Sequence, residues 1–205
     1  MPSTNPRPVD EATVAFYDSN AAAYAAWTGN DRDTRFRDRM IGRLPGGGSV
    51  LDLGCGAGWD SAAFVAAGFH VVAVDASREL AREARKTHGL DVRVMSFDQI
   101  RETDAFDGIW ASYSLQHVPR AGLPAVIGNI SRALKPAGWL YIGVQKGGDT
   151  RRDRLGRLYC HHRTDDLEAM LSNAGFGEFT SEVAVGTGYD GSRCELLNLE
   201  AKRIA

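Results

Sequence analysis

The stretch Val50-Leu51-Asp52-Leu53-Gly54-Cys55-Gly56-Ala57-Gly58 sets an apolar run, closed by an acidic residue, against three glycines at alternate positions. Glycine permits positive φ in a tight strand-to-helix turn and lets backbone approach a ligand where a Cβ would collide. Asp75 closes a second apolar run, His70-Val71-Val72-Ala73-Val74, about twenty residues after Gly54, where a carboxylate can accept hydrogen bonds from ribose hydroxyls. The two features together describe a nucleoside site. A dinucleotide loop of the form G-x-G-x-x-G would need glycine at position 59, which is Trp59, so a pyrophosphate cradle is disfavoured.

The elements that must position these residues follow from hydrophobic periodicity. Val14, Tyr17, Ala21, Tyr24 and Ala25 recur at helical spacing after Asp10, a natural N-cap, and Phe36, Met40, Ile41 and Leu44 do so in a second amphipathic helix. Residues 10–44 are thus read as N-terminal helices. Short apolar runs then alternate with helical patterns: Ser49–Leu53, Phe69–Val74, Asp91–Met95, Asp107–Ser112 and Trp139–Val144, with helices to Ala67 and over Arg78–His88 and Gly122–Leu134. That rhythm builds a parallel sheet with crossover helices. After a helix at Thr164–Asn173, the runs Phe179–Val185 and Cys194–Lys202 flank a glycine-rich loop, which predicts a hairpin with one antiparallel strand near the C-terminus. The expected architecture is α/β: a Rossmann-like, doubly wound, seven-stranded, mostly parallel sheet in a single domain over 1–205. Residues 1–9, with three prolines, are read as a flexible leader without a secretory signal.

Four stretches occur in order: the glycine loop; Val72-Ala73-Val74-Asp75-Ala76-Ser77; Phe106-Asp107-Gly108-Ile109-Trp110-Ala111-Ser112; and Leu134-Lys135-Pro136-Ala137-Gly138-Trp139-Leu140. In these the chain resembles the class I S-adenosylmethionine-dependent methyltransferases, from about Ala15 to the C-terminus. The resemblance implies S-adenosylmethionine as cofactor and S-adenosylhomocysteine as product. It implies that Gly54, Cys55 and Gly56 pack on the methionine part while Asp52 orients its amino group through the loop, and that Asp75 takes the ribose hydroxyls. Ala76 and Ser77 would flank the adenine, Asp98 would accept from its amino group with Phe97 alongside, and Ser112 would line the floor. Tyr17 and Tyr24, seven residues apart on one helical face, would close over the cofactor or pack in the core. Cys55 is given no thiol chemistry, because the loop needs small side chains there.

The acceptor side is less patterned. His117, just beyond the fourth strand, is a candidate base or a loop-ordering residue, and His161 competes with it for the catalytic role, as does His162, which is placed with the substrate residues. Between the fifth strand and the next helix runs a long connection, residues 145–163, expected to act as a substrate lid. It carries Lys146, Arg151, Arg152, Arg154, Arg157 and Arg163 against Asp149 and Asp153, a segment charge of +4 in a chain of net charge −2. The excess faces either water or an anionic acceptor, with Arg157 the foremost candidate contact because its neighbours are apolar and aromatic.

Composition narrows the alternatives. With 24 basic and 26 acidic side chains the whole-protein field announces no nucleic-acid or anionic-membrane partner. Three widely spaced cysteines without C-x-x-C argue against a disulfide framework or a structural zinc site, and for a reducing cytoplasm. No apolar run reaches the ~20 residues of a membrane span. Ala111-Ser112-Tyr113-Ser114 stands where, in the family this chain resembles, an enzyme methylating the amino group of adenine or glutamine would carry Asn/Asp-Pro-Pro-Tyr, and no cysteine follows a proline as cytosine C5 chemistry requires. The expectation is a cytoplasmic methyltransferase for a small-molecule acceptor, with an RNA methyltransferase or a non-catalytic binding module as alternatives. The acceptor, any metal and the oligomeric state are not legible; no metal is expected.

Overall fold

The computed structural model describes residues 9–30 and 33–204; the expected leader lies, except for Val9, outside them. Helix α1 (Glu11–Thr28) starts where Asp10 caps it, the carboxylate accepting from the Thr13 amide, and α2 (Arg35–Arg43) follows. Then come β1 (Ser49–Leu53), α3 (Trp59–Ala66), β2 (His70–Asp75), α4 (Arg78–His88), β3 (Val92–Val94), β4 (Phe106–Ser112), α5 (Leu123–Ala133) and β5 (Leu134–Gln145). Strands β6 (Thr150–Arg152) and β7 (Leu158–Cys160), helix α6 (Thr164–Asn173), and strands β8 (Phe176–Thr187) and β9 (Arg193–Arg203) complete the chain.

Seven strands form one sheet in the order β3-β2-β1-β4-β5-β9-β8. The pairings among β3, β2, β1, β4 and β5 are parallel, and β9 runs antiparallel to both β5 and β8. The chain winds outward from β1 in one direction and from β4 in the other, so the loops after β1 and β4 diverge and leave a crevice at the carboxyl edge. One sheet face is covered by α5 and α6 through Val126, Ile127, Ile130, Leu167 and Leu171. On the other, Phe36 and Met40 of α2 and Phe64 of α3 pack with Val50, Phe69, Trp110 and Tyr141. Trp110 and Tyr141 stack at 3.8 Å, and the buried Glu200 carboxylate pairs with Arg39 and Arg43 at 2.8 and 3.0 Å, fastening α2 to β9.

Two departures from the sequence reading concern strand extents. Strand β5 starts at Leu134 rather than Trp139, because a bulge absorbs Pro136 and the positive-φ Ala137 while Phe106 still pairs with Leu134. Within the expected lid, β6 and β7 pair as a two-stranded antiparallel ribbon, Arg151 opposite Tyr159. Thr150, Arg151 and Arg152 are all exposed, so no apolar alternation marked this strand.

Candidate cofactor cleft and lid

The glycine turn is strapped to β2 by the Gly54 and Cys55 amides, which donate to the Val74 carbonyl at 2.9 and 3.0 Å. Gly54 sits at φ +81°, and a Cβ there would lie 2.4 Å from the Ser114 Cβ. Gly56, at φ +55°, faces open space: the nearest side chain to a Cβ placed there is Tyr24, at 4.0 Å. The Gly56 amide donates to Asp75 Oδ2 and the Ser77 amide to Asp75 Oδ1, both at 2.8 Å. Burial raises the Asp75 carboxyl above its ordinary pKa, and the two amides work against that rise. Ser77 also caps α4, its hydroxyl accepting from the Leu80 amide and donating to Asp18 of α1 at 2.6 Å. Asp18, which sequence reasoning passed over, thereby pins α1 to the start of α4.

The result is a cleft open to solvent on one side, enclosing about 690 Å³ when the open space at its mouth is counted. Of the expected residues, Tyr17, Tyr24, Gly54, Gly56, Asp75, Ala76, Ser77, Phe97, Ser112 and His117 line it. Asp52 does not: it is buried beneath α3, where its carboxylate accepts from the Ser61 hydroxyl at 2.6 Å. Cys55 packs beside Ala73, Ala81 and Ala84, and burial raises its thiol pKa, as expected of a spacer rather than a nucleophile. Asp98 is exposed, and the polar wall next to Phe97 comes from Ser96 instead.

Across the cleft mouth a chain of hydrogen bonds ties α1, the loop after β4 and the lid. Arg157 Nη1 donates to the Tyr17 hydroxyl at 3.0 Å. That hydroxyl donates to His117 Nε2 at 2.9 Å, and His117 Nδ1–H donates to the Leu158 carbonyl at 2.6 Å. The Leu158 carbonyl can only accept, which fixes the proton on Nδ1 and leaves Nε2 as the acceptor. Burial, with the Arg157 charge adding to it, lowers the His117 pKa to about 4. Of the two roles the sequence left open for His117, base or loop-ordering residue, this geometry is that of a neutral anchor for Tyr17.

Arg157 is held inward as anticipated, but by the protein itself. It is 1% exposed, its Nε and Nη2 donate to Asp153 Oδ2 at 2.9 and 2.6 Å, and the rings of Phe16, Tyr17, Tyr159 and Tyr189 surround it at 5.0–5.6 Å. Every nitrogen of this fork is thus committed within the protein. Arg152 likewise donates to both Asp10 oxygens at 3.0 and 2.8 Å, lowering the Asp10 pKa to about 2. Lys146, Arg151 and Arg154 lie 4.0, 3.8 and 3.7 Å from Glu195, Asp149 and Asp190. Three carboxylates from outside the segment thus offset most of its excess charge: Asp10 at the cap of α1, Asp190 in the β8–β9 loop and Glu195 in β9.

His161 is buried between two side chains, with Nδ1 2.8 Å from Asp149 Oδ1 and Nε2 3.0 Å from the Gln145 carboxamide. It does not line the cleft. His162 is 2% exposed with its Nε2 lacking a hydrogen-bond partner, and burial, with Arg120 and His161 nearby, lowers its pKa to about 4. An open depression beside the β6–β7 ribbon is walled by Gln145, Tyr159, Asp190, Ser192 and residues 151–154. The rings of Tyr17, His117 and Tyr159 are in contact at centroid distances of 5.6 and 4.7 Å.

Among the described residues no helix is long and apolar enough to cross a membrane. Residues 21–177 match the family model described as a methyltransferase domain. The chain is 38% identical over 106 residues to the ubiquinone biosynthesis O-methyltransferase of Xanthomonas oryzae pv. oryzae, a match covering 48% of this chain and 43% of that protein. It is 33% identical over 140 residues to the demethylmenaquinone methyltransferase of Clavibacter sepedonicus, covering 65% and 54%. The matches thus span about half the length of these relatives. In fold it resembles the Burkholderia thailandensis 1,6-didemethyltoxoflavin-N1-methyltransferase, solved with S-adenosylhomocysteine, at a TM-score of 0.73 and 21% identity over 95% of this chain and 88% of that one. A family match over most of the chain, on a sheet of this order with its cleft beside the glycine turn, leaves one assignment: the chain belongs to the methyltransferase-domain family, the class I S-adenosylmethionine-dependent methyltransferases.

Proposed function

We propose that this chain methylates a small-molecule acceptor, with the cleft between the glycine turn and α1 holding S-adenosylmethionine. The observation that carries the reading is Asp75, a buried carboxylate with each oxygen anchored by one backbone amide, facing an open cleft over Gly56. Each oxygen retains a lone pair for a ribose hydroxyl. Gly54, Cys55 and Gly56 would carry the methionine end, Ala76, Ser77, Ser96 and Phe97 would surround the base, and Tyr17 and Tyr24 would close the top. The bound cofactor supplies a methyl carbon activated by its sulfonium leaving group. The residues' task is therefore orientation and exclusion of water, which suits a site without a free basic side chain at the cleft mouth.

The names of the ubiquinone and demethylmenaquinone relatives favour a small organic acceptor, and the balanced charge of the lid favours it over RNA, which needs a continuous basic track. The free thiols of Cys55, Cys160 and Cys194 suit a reducing compartment such as the cytoplasm. Calorimetry tests the cofactor: S-adenosylhomocysteine should bind and NAD should not. A labelled-donor screen against metabolite pools and RNA tests the acceptor, and label appearing only in RNA would overturn the small-molecule reading.

A further inference from the structure

Helix α1 covers the cleft with little apolar grip on the unit beneath it. Its buried residues, Thr13, Ala21 and Ala25, are all small. Its rings find partners elsewhere: Phe16 and Tyr24 contact Tyr189 of the β8–β9 loop, and Tyr17 contacts His117 after β4. Hydrogen bonds tie the helix to α3 and α4. The Trp59 indole nitrogen donates to the Ala25 carbonyl at 3.2 Å. Asp18 Oδ1 accepts from the Ser77 hydroxyl at 2.6 Å and from the Glu79 amide at 3.2 Å. Two amides in the first turn of α4 are thus satisfied from two elements, Leu80 by the Ser77 hydroxyl and Glu79 by Asp18. The aligned peptide dipoles favour a carboxylate at that end of the helix. Ser77 is where these bonds meet, because its own amide donates to Asp75 Oδ1 at 2.8 Å. Asp18 and Asp75 are therefore joined through a single residue. Tyr17, Tyr24, Asp75, Ala76 and Ser77 line the cleft, and Asp18 stands behind them.

Resting on the cofactor reading above, we propose that Asp18 is a positioning residue for the nucleoside: its carboxylate holds Ser77 where the Ser77 amide orients Asp75, and holds α1 where Tyr17 and Tyr24 close the cleft. One side chain that does not touch the ligand thereby sets two walls of its site, and affinity depends on that preorganisation. An electrostatic role alone would have the opposite sign. Burial first, and the Asp18 charge after it, raise the Asp75 pKa. Removing that charge without moving any group would leave Asp75 more readily ionised and the nucleoside more tightly held, whereas loss of positioning loosens it.

The probe is S-adenosylhomocysteine, with Kd read by calorimetry and dissociation by stopped-flow. Asp18→Ala should weaken binding at least fivefold, mainly through faster dissociation. Asp18→Asn, which keeps an oxygen for the Ser77 hydroxyl, should recover part of the loss and carries the comparison should the alanine variant fail to fold. Ser77→Ala removes the same link from its other end and keeps the amide on Asp75. Adding Asp18→Ala to it should therefore cost less affinity than Asp18→Ala costs alone. In hydrogen exchange the nucleoside should protect the α1 amides of the parent and protect them markedly less in the Asp18 variants. A variant with a lowered urea midpoint but parental Kd and dissociation rate overturns the proposal and leaves Asp18 a structural contact. Tighter binding in either Asp18 variant, or full additivity with Ser77→Ala, overturns it as well. Binding to the parent protein is read first: its absence overturns the cofactor assignment, and this proposal with it.

Discussion

Replacing Asp75 by asparagine changes no volume and removes one charge, so its consequences can be worked from the hydrogen bonds alone. In the parent each carboxylate oxygen accepts one amide, from Gly56 and from Ser77, at 2.8 Å. A carboxamide has one accepting oxygen, and its NH2 would face the second amide donor to donor. The variant therefore loses one charge-assisted bond in the free protein and one of the bonds offered to a ribose hydroxyl, each worth about 1.5–3 kcal/mol. The first loss is a cost to folding. The second is a cost to binding of about 10- to 150-fold in Kd, since every 1.4 kcal/mol is tenfold. Urea unfolding of the free protein reads the first and calorimetry with S-adenosylhomocysteine the second. A variant that folds less stably yet binds the nucleoside with parental affinity would refute Asp75 as the ribose partner and reduce it to a clamp on the glycine turn.

Other expectations follow from the same contacts. Gly54→Ala should unfold at markedly lower temperature, because its Cβ would lie 2.4 Å from that of Ser114, whereas Gly56→Ala, with open space before it, should fold and lose nucleoside affinity in calorimetry. Arg157→Ala leaves Asp153 without its main partner in an enclosed site and should cost about 3–5 kcal/mol in urea unfolding; Arg157→Lys should recover only part, lacking the fork. His117 and His162 each have folded pKa values lowered from 6.5 to about 4. The unfolded chain therefore binds more protons between those values, and stability should fall as pH drops from about 6.5 toward 4, by up to about 1.4 kcal/mol per pH unit for each ring. Urea midpoints across that window should lose about half of their slope in His162→Asn, His117 carrying the rest, and an unchanged slope would place the His162 ring in contact with water.

The parallel half of the sheet was legible because its signals are local. Ser49–Leu53 and Arg78–His88 have the bounds that periodicity and capping residues indicate, and Asp10 and Ser77 cap the helices they precede. The cleft beside the glycine turn was legible for the same reason: glycine spacing and the carboxylate after β2 reside within one βαβ unit. Asp52 and Asp98 came from the family pattern rather than from spacing, and here the first is turned under α3 and the second out to solvent. Asp18 was invisible, since a carboxylate on an amphipathic helix has no mark distinguishing a solvent contact from a bond to the Ser77 hydroxyl.

The lid shows why charge is harder to read than hydrophobicity. An apolar residue needs only a core, and its periodicity says which way the core lies. An arginine needs a partner, and the partner's position in the sequence is unconstrained: Arg152 finds Asp10, some 142 positions away, and Arg157 donates to the Tyr17 hydroxyl across 140. Counting charges within residues 145–163 therefore registers an excess that the folded molecule largely cancels from the cap of α1, the β8–β9 loop and β9. The cancellation has a functional side. The same α1 that covers the cofactor cleft carries Asp10, Thr13 and Tyr17, and these hold Arg152, the Leu158 amide and Arg157 of the lid. On the proposed reading, closure over the nucleoside and placement of the 145–163 connection are thus one set of bonds, and a substitution that frees either edge should be felt at both.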